Sequence, residues 1–112
     1  MCVFCDIIEK KIPSEIVDEN DDIFVIKDIN PKAPSHFLII PKKHIESIKN
    51  LEGVENLLLT KIIITAKTVA KKHNLYGYKL IFNVGKEGGQ IINHLHLHLL
   101  GGWTSRPKKI DI

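Results

Sequence analysis

The segment His94-Leu95-His96-Leu97-His98-Leu99 alternates histidine with leucine. At period two, a strand through it shows three imidazoles on one face and three leucines on the other. The leucine face requires a core and the histidine face requires a ligand. Neighbouring titratable rings repel one another when charged, and burying them unpaired costs free energy. Two ligands suit them: a metal ion, which neutral imidazole nitrogens bind, or an anion such as phosphate, which imidazole can hydrogen-bond and attack.

The chain has 112 residues, enough for one domain over 1–112 and too few for a second. Its net charge of +3 is mild, its lysines are scattered or in short pairs, and Arg106 is its sole arginine. Without a basic run or interleaved aromatics, sequence-specific nucleic-acid binding is not expected. Met1-Cys2-Val3-Phe4-Cys5-Asp6 carries no basic leader, and the apolar runs 57–59 and 62–64 are separated by Thr60 and Lys61, far short of a membrane span. The expectation is a soluble cytoplasmic protein with no membrane partner, in which Cys2 and Cys5 are free thiols or metal ligands.

Residues 4–10 read as a short helix ended by Lys11-Ile12-Pro13-Ser14. Three strands follow at 15–18, 22–27 and 36–40, the last two joined by the turn chemistry of Asp28-Ile29-Asn30-Pro31. Residues 53–72 form the one long helical pattern, and 78–84 with 94–100 make a second strand pair around a glycine-bearing loop. The expected fold is α+β, a single-domain antiparallel sheet of about five strands with one long and one short helix. The long helix is apolar nearly all round through Leu57, Leu58, Leu59, Ile62, Ile63 and Ile64, whereas packing on one sheet needs one stripe. A second copy of the chain is the expected cover, giving a homodimer.

Ahead of the histidines lies Asn83-Val84-Gly85-Lys86-Glu87-Gly88-Gly89-Gln90. Adjacent glycines let the backbone approach an anion and aim amide hydrogens at it, although hairpin loops also use glycine for purely conformational reasons. Cys2-x-x-Cys5 is a spacing at which two thiolates share one Zn²⁺, with two more ligands needed from elsewhere. His44, after a strand end, and His94 are the candidates.

These residues carry a resemblance. His94 to Leu100 resembles the signature of the histidine triad nucleotide-binding family, histidine-apolar-histidine-apolar-histidine-apolar-apolar. Phe4-Cys5-Asp6-Ile7-Ile8, Ile12-Pro13-Ser14, Asp28-Ile29-Asn30-Pro31-Lys32-Ala33-Pro34-Ser35-His36-Phe37, Ile40-Pro41-Lys42-Lys43-His44-Ile45 and Gly88-Gly89-Gln90 are similar to its Hint branch. The resemblance implies a purine nucleotide-binding hydrolase or transferase, of the adenosine 5′-monophosphoramidase kind, that works through a covalent nucleotidyl-histidine intermediate. His96 would be the nucleophile and Asp28 would bind the ribose hydroxyls. Asn83, Gly89 and His98 would hold the α-phosphate, with His36 and Gln90 supporting the site. Val3, Phe4, Ile7, Ile26 and Ile29 would line the base pocket. The partners implied are AMP, GMP or adenylated conjugates, and a second copy of the chain. The resemblance also implies one structural zinc on Cys2, Cys5, His44 and His94.

One departure stands out. Ile91 occupies the position where Hint members usually carry a serine just after Gly-Gly-Gln, so a hydroxyl expected to help the leaving group is missing. Trp103 is placed to reach a partner subunit or to pack on its own sheet. Two alternatives remain beside the leading reading. One is a zinc-dependent hydrolase in which the three strand histidines jointly bind the ion. The other is a non-catalytic adenine-nucleotide-binding regulatory protein, which Ile91 favours.

Overall fold

In the computed structural model, which describes residues 2–106, the apolar runs become strands and the two helical patterns become helices. The order is α1 (Val3–Ile8), β1 (Ile16–Glu19), β2 (Ile23–Lys27), β3 (Ser35–Pro41), α2 (Leu57–Lys72), β4 (Tyr78–Ile81) and β5 (Leu97–Gly101). All neighbouring strands are antiparallel, in the spatial order β1-β2-β3-β5-β4. The chain is therefore the expected single-domain α+β fold with one long and one short helix.

Strands β2 and β3 are continuous apolar runs because both faces of the sheet are covered. Ile23, Val25, Phe37 and Ile39 join Leu95, Leu97 and Leu99 beneath α2, which lays down the stripe Ile62, Ala66, Val69 and Ala70. Phe24, Ile26, Leu38 and Ile40 point the other way and meet Phe4 and Ile7 of α1. Each buried aliphatic of this kind contributes roughly 1.5–3 kcal/mol. Two ion pairs tie α2 to the first hairpin, Lys61 to Asp22 at 2.8 Å and Lys72 to Asp18 at 3.0 Å. With the leucines turned toward α2, the histidines face α1.

The histidine segment departs from expectation in one respect: β5 begins at Leu97, so His94 to His96 precede the strand. Ile39 pairs with Leu97, which would set Pro41 opposite Leu95 if the ladder continued. Proline has no N–H to offer there. The Leu95 N–H instead donates to the Ile45 carbonyl at 2.7 Å. The leucine and histidine faces are still kept apart. Strand β4 stops at Ile81, short of Val84, and residues 53–56 of the long helical pattern form a 3₁₀ turn closed by a capping box between Glu52 and Glu55. Among the described residues no helix is long and apolar enough to cross a membrane.

Candidate active site and metal cluster

Backbone partners fix the tautomers of His96, His36 and His94, and His36 passes its own on to His98. A carbonyl can only accept, so His96 Nδ1–H donates to the His94 carbonyl at 2.7 Å, which leaves a lone pair on His96 Nε2. The Lys32 N–H donates to His36 Nδ1 at 3.0 Å, so the proton of that ring sits on Nε2. From there it is given to His98 Nδ1 at 2.9 Å, and the proton of a neutral His98 is left on its Nε2. One ring thus presents a nucleophilic nitrogen while another presents a donor. Burial holds His36 and His96 below the usual histidine range. It also pushes His98 down to about 4, with His96 and His36 adding to the effect. All three rings are neutral at pH 7.

The fourth tautomer serves a different group. His94 Nε2–H donates to the Pro41 carbonyl at 2.7 Å, which turns the Nδ1 lone pair toward Cys2 Sγ at 3.3 Å and His44 Nδ1 at 3.1 Å. Cys5 Sγ lies 3.7 Å from the same nitrogen and 3.3 Å from His44 Nδ1. These four ligand atoms all lie within 4.8 Å of one another. Two soft thiols and two imidazoles, one already oriented by a carbonyl behind it, fit a tetrahedral cation. His44 reaches this corner because Leu95 is tied to Ile45, its neighbour.

Asp28, His36 and His98 form a second cluster of possible ligands. Its tautomers oppose a cation, because His36 Nε2 carries the proton that the Lys32 amide denies to Nδ1. The three strand histidines do not converge either: His94 joins the thiols, His98 joins His36, and His96 stands between them. One ion shared by all three is thereby set aside.

A cavity of about 510 Å³ opens over His96 and His98, within the ~300–1,000 Å³ range of small-ligand sites. Phe4, Ile7 and Ile26 are buried in its wall, Val3 is partly exposed, and Ile29 stands 92 % exposed at its lip. Asp28 also lines it, with Oδ1 accepting from the Asn30 N–H at 2.8 Å and Oδ2 3.5 Å from His36 Nε2. Asn83 and Gly89 line it beside Ile91, which is 92 % exposed.

The glycine loop does not offer its amides as the sequence suggests. The Gly88 and Gln90 N–H groups both donate to the Gly85 carbonyl, at 3.1 and 3.0 Å, and the Gly89 N–H donates to Lys86 at 3.0 Å. The loop is instead a rigid wall. Buried Gln90 accepts from the Gly85 N–H and donates to the Glu46 and Ile92 carbonyls, and Asn83 Nδ2 donates to Gly88. Gly89 is required there because its φ is +86°. Sequence reasoning missed the carbonyls of Pro41 and His94 and the Lys32 amide, which set the tautomers. Nothing in a side-chain pattern signals a backbone partner. Trp103 is half-buried.

A five-stranded antiparallel sheet carrying alternating imidazoles at one end of its β5 strand, facing a nucleotide-sized cavity, defines a histidine-triad domain. Comparison with known proteins agrees. The family described as "Scavenger mRNA decapping enzyme C-term binding" matches residues 1–109. Protein HitA of Neisseria gonorrhoeae is 42% identical over 101 residues, covering 89% of this chain and 94% of its own. A HIT family hydrolase from Legionella pneumophila is 46% identical, with a TM-score of 0.89, covering 93% of this chain and 95% of that one. Another from Clostridium thermocellum is 45% identical, with a TM-score of 0.90, covering 97% and 96%. The chain belongs to the histidine triad (HIT) family.

Proposed function

We propose that this chain is a purine nucleotide-binding hydrolase acting on nucleoside phosphoramidates or related nucleotidyl compounds, in the cytoplasm, with His96 as its nucleophile. The observation that carries the reading is the His96 tautomer: Nδ1–H is held by the His94 carbonyl, so Nε2 offers its lone pair beside the cavity. In the first displacement a bond forms between Nε2 and the α-phosphorus while the bond to the leaving group breaks; the leaving group keeps the electron pair and takes a proton from solvent water. His98 Nε2–H donates to the phosphate oxygen that gains charge, and Asn83 offers its amide nearby. Water then displaces the imidazole from phosphorus, and the two inversions give net retention. Asp28 accepts hydrogen bonds from the vicinal ribose hydroxyls, and Phe4, Ile7, Ile26 and Ile29 pack against the base. His36 keeps the His98 proton facing phosphate, and Gln90 holds the loop.

Cys2, Cys5, His44 and His94 would hold a structural Zn²⁺, whose contribution when bound is to cross-link α1 to the segment before β5. The assembly we propose is a homodimer through the outer face of α2. One observation favours a second reading: Ile91 leaves no hydroxyl at the exposed rim beside Gly89, which suits a nucleotide-binding protein with little turnover.

Hydrolysis of adenosine 5′-phosphoramidate by the wild type and by His96→Ala tests the proposal, with AMP binding measured for both. Turnover falling at least a thousandfold in a variant that still binds AMP is the expected result, since loss of a nucleophile costs on the order of 10³-fold or more. Wild-type protein that binds AMP without turnover moves the protein to the second reading.

A further inference from the structure

Phe4 stands between the two cysteines of the metal cluster, in the first turn of α1. Its ring packs edge-on against His94, with centroids 5.7 Å apart, and against the nucleophile candidate His96, 5.2 Å apart. It is 2 % exposed and also lines the cavity. One side chain therefore touches a metal-ligating ring, the reacting ring and the nucleotide pocket. A second route runs through His94 itself, whose Nδ1 belongs to the cluster and whose carbonyl holds His96 Nδ1–H at 2.7 Å.

Helix α1 has six residues, and its N-cap, Cys2, makes no side-chain cap bond. A helix this short does not hold its own shape. Its second half is fixed by Ile7 in the core, but its first turn is fixed by Phe4 and by whatever holds the two thiols. The thiol sulfurs lie 3.3–3.7 Å from the imidazole nitrogens, weak contacts if read as hydrogen bonds.

We propose that the metal cluster and the nucleotide cavity are thermodynamically linked through Phe4 and His94, acting as positioning residues, so that Zn²⁺ tightens nucleotide binding and the nucleotide tightens Zn²⁺ binding. The inference rests on the nucleotide reading given above. Cross-linking Cys2 and Cys5 to His94 fixes Phe4 against His96 and closes that wall of the cavity. A nucleotide base packed on Phe4 restrains the same turn from the other side. Reciprocity is required, because a coupling free energy between two sites acts equally on both affinities.

The test is a square of four binding measurements on the full chain. AMP affinity is measured for Zn²⁺-loaded and chelator-treated protein, and Zn²⁺ affinity, by competition with a chromophoric chelator, is measured with and without saturating AMP. The expected result is a change of about tenfold, equal in both directions, within the ~5–150-fold span of such couplings. Phe4→Leu keeps both thiols and an apolar filler. It weakens AMP binding in both forms, still takes up one Zn²⁺, and lowers the coupling factor to the part carried by the His94 carbonyl. Stoichiometric Zn²⁺ loading with the same AMP affinity in both forms overturns the linkage and leaves the nucleotide reading intact. Absence of AMP binding in every form overturns the nucleotide reading and the linkage with it. If chelation unfolds the chain, the factor reflects global folding and survives undiminished in Phe4→Leu, an outcome that also overturns the role given to Phe4.

Discussion

His98 carries the strongest electrostatic signature in the site, and its origin is burial among other rings. The Lys32 amide passes its directional preference through His36 to His98, and the nearby Asp28 carboxylate, which favours the charged ring, is outweighed by burial and by His96 and His36. Its imidazole titrates near 4 when folded and near 6.5 when exposed, so between those values the unfolded chain binds the extra proton. Stability from this group is therefore fully present above about pH 6.5 and is lost as pH falls through about 4. His36 is lowered for the same reason and adds in the same direction. Urea unfolding at pH 7 and pH 4 should show that the wild type loses on the order of 2 kcal/mol more than His98→Gln, allowing for the ring's partial exposure. Equal losses in the two proteins would remove His98 as the source. This network was not legible in the sequence. The alternation announced that the rings share a face, but the carbonyl that orients His94 belongs to Pro41, 53 residues away.

The loop between β4 and β5 is the element whose shape is most tightly specified. Gln90 binds it at Gly85 and Ile92 and anchors it to Glu46, and Asn83 adds a bond to Gly88, which leaves Gly89 as the residue that must turn left-handed. A Cβ added to Gly89 would sit 3.5 Å from Asn83 Nδ2, an ordinary contact, so the cost of Gly89→Ala is conformational. The substitution should lower unfolding free energy by roughly 1–2 kcal/mol and weaken AMP binding by shifting the Asn83 amide. Denaturant titration and AMP binding check the two effects, and an unchanged denaturation midpoint would contradict the strain argument. Legibility follows the same division between pattern and context. Strands β2 and β3 could be read because their β-branched runs fit a sheet covered on both faces. The start of β5 could not, because Leu97 rather than His94 opens the strand only through its register against Pro41, a long-range fact. Glycine adjacency suggested free amides, whereas tertiary hydrogen bonding turned them inward.

At the scale of the whole molecule, apolar surface on α2 and β4 stays uncovered among the described residues. Helix α2 buries the stripe of Ile62, Ala66, Val69 and Ala70, while Ile63 and Ile64 on its outer side remain 41 % and 55 % exposed. Strand β4 lies at the edge of the sheet with Leu80 and Ile81 each 39 % exposed. Lys61 and Lys72, about three turns apart and so on one side of the helix, pair with Asp22 and Asp18 and set charge along that side of the apolar strip. An isologous contact that sets α2 against its symmetry mate covers this strip twice in one step, and a C₂ dimer is the commonest closed solution. Light scattering on the wild type should give twice the 12.7 kDa chain mass. The double substitution Ile63→Glu with Ile64→Glu introduces four carboxylates into a symmetric interface and should reduce the mass to one chain. Because neither residue touches the cavity or the metal cluster, the monomer should keep its far-ultraviolet circular dichroism and its uptake of Zn²⁺. A wild type that is monomeric at micromolar concentration, or a variant that stays dimeric, would assign this surface to another purpose. Should the monomer retain AMP binding but lose turnover, the second copy completes the site, and Trp103, half-buried beyond β5, is the first residue to substitute.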